Sequence, residues 1–152
     1  MAKSVAVISC RHEDRRYAIA ATAVSELSMA PPSMLIAINR ETSIFAPLSA
    51  GASFCINLLS SGQEEISRAC GGGLRGEARF EGGAWTDLFD GAPGLREAQA
   101  NIVCRNVKSV VHGSHGVFFG EAVQVLVSGE IDPLLYVDGG YAALARRGPD
   151  RA

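Results

Sequence analysis

Three histidines and four cysteines in 152 residues invite a search for a metal or a nucleophile, and the spacing assembles neither. His12, His112 and His115 have no cysteine or carboxylate at ligand spacing beside them, and a metal site needs several such donors at once. Cys10, Cys55, Cys70 and Cys104 are irregularly spaced with no C-x-x-C, so they read as reduced, buried, small apolar residues. Ser, His and Asp are scattered, and no G-x-S-x-G elbow is present to expose a nucleophile. Gly71-Gly72-Gly73-Leu74-Arg75-Gly76 spells G-x-G-x-x-G. That fingerprint works only with a strand entering the glycines and a helix leaving them. Here a helical pattern precedes them and Glu77 to Gly83 starts a helix poorly, so the stretch reads as a surface loop.

The positive signal runs from Ala20 to Asn57. Ala20-Ala21-Thr22-Ala23-Val24-Ser25 closes a strand with small side chains and hydroxyls, a surface that lets a flat ligand reach the backbone and find donors. Asn39-Arg40-Glu41-Thr42-Ser43 stands where an apolar strand meets a helix start. Amide N–H groups, two hydroxyls and a guanidinium can converge there on an anion. Taken alone, the same residues also make an ordinary helix cap with a surface arginine.

The elements that must position these stretches are mostly strands. Val5 to Cys10 is short, apolar and β-branched, Glu13 to Arg16 is a polar turn, and Tyr17 to Val24 alternates well enough to return as the partner strand. Met34 to Asn39 is a nearly continuous apolar run, expected as a central strand covered on both faces. Thr42 or Ser43 can cap a short helix to about Ala50, with Gly51 as its stop. Phe54 to Leu59 is another strand. Ser61-Gly62-Gln63-Glu64 fits a capping box, which predicts a helix to Cys70. Ala100 to Val111 and Val117 to Val127 form a second hairpin across His112 to Gly116, and Leu134 to Val137 adds a last strand. Several strands and two short helices without βαβ alternation favour an antiparallel barrel.

Composition agrees with one compact domain over residues 1–152. Hydrophobic residues make up 47% and charged residues 20%, enough to bury a core without staples at this length. A net charge of −2 with no Lys/Arg run gives no footprint for nucleic acid or an anionic membrane. The opening apolar run, Val5 to Ile8, is too short for a signal segment, and nothing spans a bilayer. Reduced cysteines fit the cytoplasm.

These segments, in this order, resemble the flavin reductase family of the FMN-binding split-barrel fold, the reductase components of two-component flavin-dependent monooxygenases. The resemblance is carried by Ala21 to Ser25 with Ser28-Met29-Ala30-Pro31-Pro32, Ile38 to Ser43, Phe54 to Leu59, Arg79-Phe80 with Gly83 and Trp85, Gly113-Ser114-His115 leading to Phe119-Gly120-Glu121, and Pro133 to Tyr136 with Gly139 and Tyr141. It covers the chain from about Val5 to Leu144.

The resemblance implies a mainly β protein, a six-stranded antiparallel split barrel of Greek-key type with a few short helices. It implies a homodimer with flavin near the subunit interface, and hydride transfer from NADH or NADPH to FMN or FAD. The reduced flavin would then serve a partner monooxygenase. A protein of the same fold that binds flavin without reducing it is the alternative. Position by position, Thr22, Ala23 and Val24 would lie along the edge of the flavin ring, with Ser25 also among the cofactor-binding residues, and Asn39, Arg40, Glu41, Thr42 and Ser43 would hold ribityl and phosphate. Asn57 and Leu58 would contribute through the strand lining the ring. Tyr141 would close over the site, and His115 would sit where flavin and nicotinamide stack, as the catalytic residue. Glu41 departs from the family pattern, in which a small hydroxyl residue is common, and places a negative charge beside the phosphate.

Overall fold

The structure, a computed structural model, describes residues 1–145 and 148. It is built on two hairpins. Strands β2 (Ala6–His12) and β3 (Arg15–Ala21) meet across Glu13 and Asp14, both at positive φ. This is the primed turn whose twist matches a two-residue hairpin, so Arg15 and Arg16 belong to the strand. Strands β9 (Ala100–His112) and β10 (His115–Val127) form the second hairpin. Its turn is Gly113-Ser114 alone, because His112 and His115 already pair.

Strands β4 (Val24–Met29), β5 (Pro32–Asn39) and β6 (Phe54–Leu58) complete a seven-stranded sheet in the order β3-β2-β6-β9-β10-β5-β4, every pairing antiparallel. Seven strands replace the six expected, because the expected strand Tyr17 to Val24 is broken. Ala21 pairs with Ala6 on one side, whereas the Ala23 carbonyl accepts the Ala37 N–H at 2.9 Å on the other. The chain changes neighbours at Thr22. Since β3 and β4 lie at opposite ends of the strand order yet are joined by two residues, the sheet must curl until its edges meet there.

Inside the curl, Ile8, Ile36, Ile38, Ile44, Leu48, Phe54, Ile56 and Phe118 form the main core. A second cluster, with Val5, Val7, Ala18, Leu59, Cys70, Phe80 and Leu95, lies between the sheet's other face and the segment after β6. Strand β5 is not covered on both faces: Ile36 and Ile38 are buried, and their neighbours only half-buried. The continuous apolar run therefore reads as one inward stripe with a partly open outer face.

Helix α1 (Phe45–Ser49) starts later than expected and has no side-chain cap, because Thr42 donates its hydroxyl back to the Asn39 carbonyl. Gly51, at φ +93°, supplies the expected stop. The expected helix from Ser61 to Cys70 divides into a 3₁₀ turn (Ser61–Gln63), helix α2 (Glu64–Arg68) and a wide turn (Ala69–Gly73). The capping pair sits one residue earlier, the Ser60 N–H donating to Gln63 Oε1 at 3.0 Å. Gly72, at φ +120°, ends the helical path. A 3₁₀ turn (Gly76–Phe80) follows, then the hairpin β7 (Trp85–Asp87) and β8 (Pro93–Leu95). The small sheet of β1 (Lys3–Ser4), β11 (Leu135–Val137) and β12 (Gly140–Ala142) brings Tyr141 back to the first hairpin.

Candidate functional site

Strand β3 is an edge of the sheet, so one row of its backbone groups has no strand to pair with. Arg79 uses one of them, donating from Nη1 to the Ala18 carbonyl at 2.5 Å and from Nε to the Leu74 carbonyl at 2.8 Å. Residues two apart in a strand turn their N–H and C=O the same way, so Ala20 also faces outward. That edge runs along two adjoining clefts. One, about 450 Å³, is lined by Ala20, Ala21, Thr22, Ser67, Gly71 and Tyr141 among others. The other, about 720 Å³, lies between Tyr17 to Ile19, Glu41 to Ser43, and the loop from Gly72 to Arg79.

The smaller cleft fits a flat ring on its own chemistry. A Cβ built on Gly71 would lie 3.7 Å from Ala20 Cβ, so two small residues form a level floor beside an outward backbone edge and the Thr22 hydroxyl. Tyr141 closes one end. Its hydroxyl lies 2.8 Å from Ser67 Oγ, the Arg68 guanidinium stacks 4.8 Å from its ring centroid, and Tyr136 meets it edge-on at 5.3 Å.

In the larger cleft most of the expected anion donors are already engaged. The Arg40 N–H donates to the Ser114 carbonyl, the Glu41 N–H to Asn39 Oδ1, and the Thr42 N–H and hydroxyl to the Asn39 carbonyl. Among the described residues Ser43 keeps both its N–H and its hydroxyl free. Arg16 pairs with Glu77 and lies 4.2 Å over the Phe80 ring. Its hydrogen bond holds the Glu77 carboxyl below the usual carboxylate range.

The two stretches singled out from sequence therefore lie on one side of the molecule, but unequally. Thr22 faces the smaller cleft. Ala23 is held to Ala37, Val24 packs into the barrel core, and Ser25 donates its hydroxyl to the Glu26 carbonyl. Of the four, Thr22 alone lines one of these clefts. Glu41, Thr42 and Ser43 line the larger cleft, whereas Asn39 and Arg40 line a third, about 470 Å³, shared with Glu41, Phe45, Gly113 and Ser114. His115 is exposed and lines none of these three clefts. It pairs across the sheet with Asn39, and its Nδ1 lies 2.8 Å from Ser114 Oγ.

Asn57 and Leu58 do not reach these clefts. Asn57 is fully buried. Its Nδ2 donates to the Val7 carbonyl and Ser9 Oγ, and its Oδ1 accepts from the Leu95 N–H and Asn101 Nδ2. A β6 residue facing the second core has no path to the β3 edge, and Leu58 packs into the main core. Sequence reading missed Tyr17, Ser67 and Arg75 as lining residues. No spacing marks them, because the segment carrying Ser67 and Arg75 reaches the β3 edge, where Tyr17 lies, from far along the chain.

The family profile described as "Flavin reductase like domain" matches residues 1–145. The chain belongs to that family. It is 36% identical over 146 residues to an FMN reductase (NADH) RutF 1 of Methylorubrum extorquens (strain PA1), covering 96% of this chain and 72% of that one. It is 35% identical over 143 residues to the reductase component of an FADH(2)-dependent resorcinol hydroxylase of Rhizobium sp. (strain MTP-10005), covering 93% and 80%. Among solved structures, flavin reductase PheA2 in its native state superposes with a TM-score of 0.87 at 27% identity, covering 96% of this chain and 92% of that one.

Proposed function

We propose that this flavin reductase family member oxidises NADH and reduces FMN, and that the reduced flavin leaves for a separate flavin-dependent monooxygenase. The carrying observation is the continuous edge of β3, which joins a level small-residue cleft at Ala20, Thr22 and Gly71 to an anion-facing cleft at Ser43. A ring with a phosphorylated tail needs both, side by side. Relatives named as FMN reductase and as a hydroxylase's reductase component support the same direction of electron flow.

The two nucleotides supply the redox chemistry, a hydride passing from the nicotinamide ring to the flavin. The chain's own part is placement and charge. Outward amides of β3 and the Thr22 hydroxyl are donors that can stabilise negative charge on a reduced ring, and Ser43 offers donors to a phosphate. His115 is assigned to orienting the nicotinamide or balancing its charge, since it sits beside Asn39 at the sheet end and outside the two main clefts.

The protein acts as a homodimer in this proposal. Strand β6 pairs with β9 only from Ala100 to Cys104, so on that side the rest of β9 has no strand neighbour among the described residues. Val107, Val110 and Val111 there are each about half exposed, as an interface would require. We place the protein in the cytoplasm, where the nicotinamide reductant is found and where four free, buried cysteines stay reduced. Among the described residues no helix is long and apolar enough to cross a membrane.

Spectrally monitored FMN titration followed by NADH addition tests the function. Binding followed by flavin bleaching under anaerobic conditions is the expected result. Flavin bound but never reduced would favour the binding-only alternative, and no binding would refute both.

A further inference from the structure

The larger cleft has a charge pattern that its neighbours leave unresolved. Four arginines and three carboxylates line it. Arg16 and Glu77 neutralise one another, and Arg79 is spent on the Ala18 and Leu74 carbonyls. Arg15 and Arg75 remain without a hydrogen-bond or ion-pair partner among the described residues. Arg15 follows Glu13 and Asp14 directly in the hairpin tip, so its charge is offset where it stands. Arg75 has no such offset: the nearest carboxylate along its own segment, Glu77, is already taken by Arg16. It is exposed on the loop wall of the cleft whose other wall carries Ser43, with both donors free, and Glu41.

An anion entering beside Glu41 meets repulsion, and one hydroxyl with one amide does not balance a phosphate monoester that carries close to two negative charges. A guanidinium presents a planar fork of donors suited to phosphate oxygens. Resting on the flavin reading above, we propose that Arg75 binds the terminal phosphate of the flavin from across the cleft, and so makes this chain discriminate FMN from riboflavin. The glycine-dense loop then has a task that its failed dinucleotide fingerprint does not supply: it carries a cation over the strand edge to the phosphate. Arg75 is a specificity residue here, remote from the reacting atoms.

The test compares FMN with riboflavin, which lacks the phosphate, in wild type, Arg75→Ala, Arg75→Lys and Arg15→Ala, using flavin fluorescence quenching for Kd and NADH oxidation for kcat and KM. Arg75 is exposed and its side chain makes no hydrogen bond or ion pair among the described residues, so the alanine variant should melt with the wild type. Its Kd and KM for FMN should rise about ten- to a hundredfold, the range for a hydrogen bond to a charged group. Its constants for riboflavin and its kcat should hold, and lysine should restore part of the loss. Equal loss for both flavins, no loss for either, or a loss of FMN preference in Arg15→Ala with none in Arg75→Ala would each overturn the proposal. Wild type that binds and reduces neither flavin would instead overturn the reductase reading beneath it, while wild type that treats both flavins alike would overturn this inference alone.

Discussion

Replacing Asn57 with alanine separates a structural role from a flavin-lining one. The amide ties β2 to β8 and β9 through four N–H···O bonds, at 2.9 Å to the Val7 carbonyl and Ser9 Oγ and 2.8 Å from the Leu95 N–H and Asn101 Nδ2. Alanine leaves those partners buried with fewer bonds, since Asn57, Ser9 and Asn101 are all buried. Stranding buried donors costs more than the net worth of a bond, so the loss should reach about 3–5 kcal/mol. At this chain length that lowers Tm by about 3 °C per kcal/mol, or about 10–15 °C in all. Circular dichroism melts give the stability, and FMN titration well below the new Tm gives the affinity. A large fall in Tm with unchanged FMN affinity is expected. A melt within about 2 °C of wild type together with weakened flavin binding would refute the placement, since that shift is under 1 kcal/mol.

Three further outcomes follow from the same structure. His115→Ala should lower kcat for NADH oxidation by about ten- to a hundredfold, as for a misplaced reactant, while leaving FMN Kd unchanged; unchanged turnover would remove His115 from the site. Burial lifts the Cys70 thiol to about 11 and those of Cys10 and Cys104 to about 12, and raises Cys55 too. Folding therefore favours the protonated thiols. Their contribution to stability is whole below the usual thiol value and drains as pH climbs toward 11–12, so alkylation near neutral pH should label none of the four until the protein is denatured. Light scattering should give twice the 16.0 kDa chain mass, and Val110→Arg should return it to one.

Much of the fold was legible because hairpins announce themselves locally. Turn residues at Glu13-Asp14 and Gly113-Ser114 stand between β-rich runs, and their strands pair as the pattern implies. The break at Thr22 was not legible, because it depends on Ala37, a partner from another hairpin. Asn57 shows the limit for site residues. Its type fits either ligand binding or a buried hub, and only Ser9, Leu95 and Asn101, drawn from three other parts of the chain, decide which. The Asn39 to Ser43 turn was rightly located, but its own hydrogen bonds, invisible in spacing, consume most of the donors expected to face the anion. Arg75 carried no signal beyond its type until the loop was seen to cross β3.

A crystal structure of the protein soaked with FMN locates the ring and its phosphate relative to the β3 edge. The ring should lie against Ala20, Thr22 and Gly71, with its phosphate in hydrogen-bond reach of Ser43. Flavin density on another face of the barrel, or with the ring and tail exchanged between the two clefts, would contradict this placement.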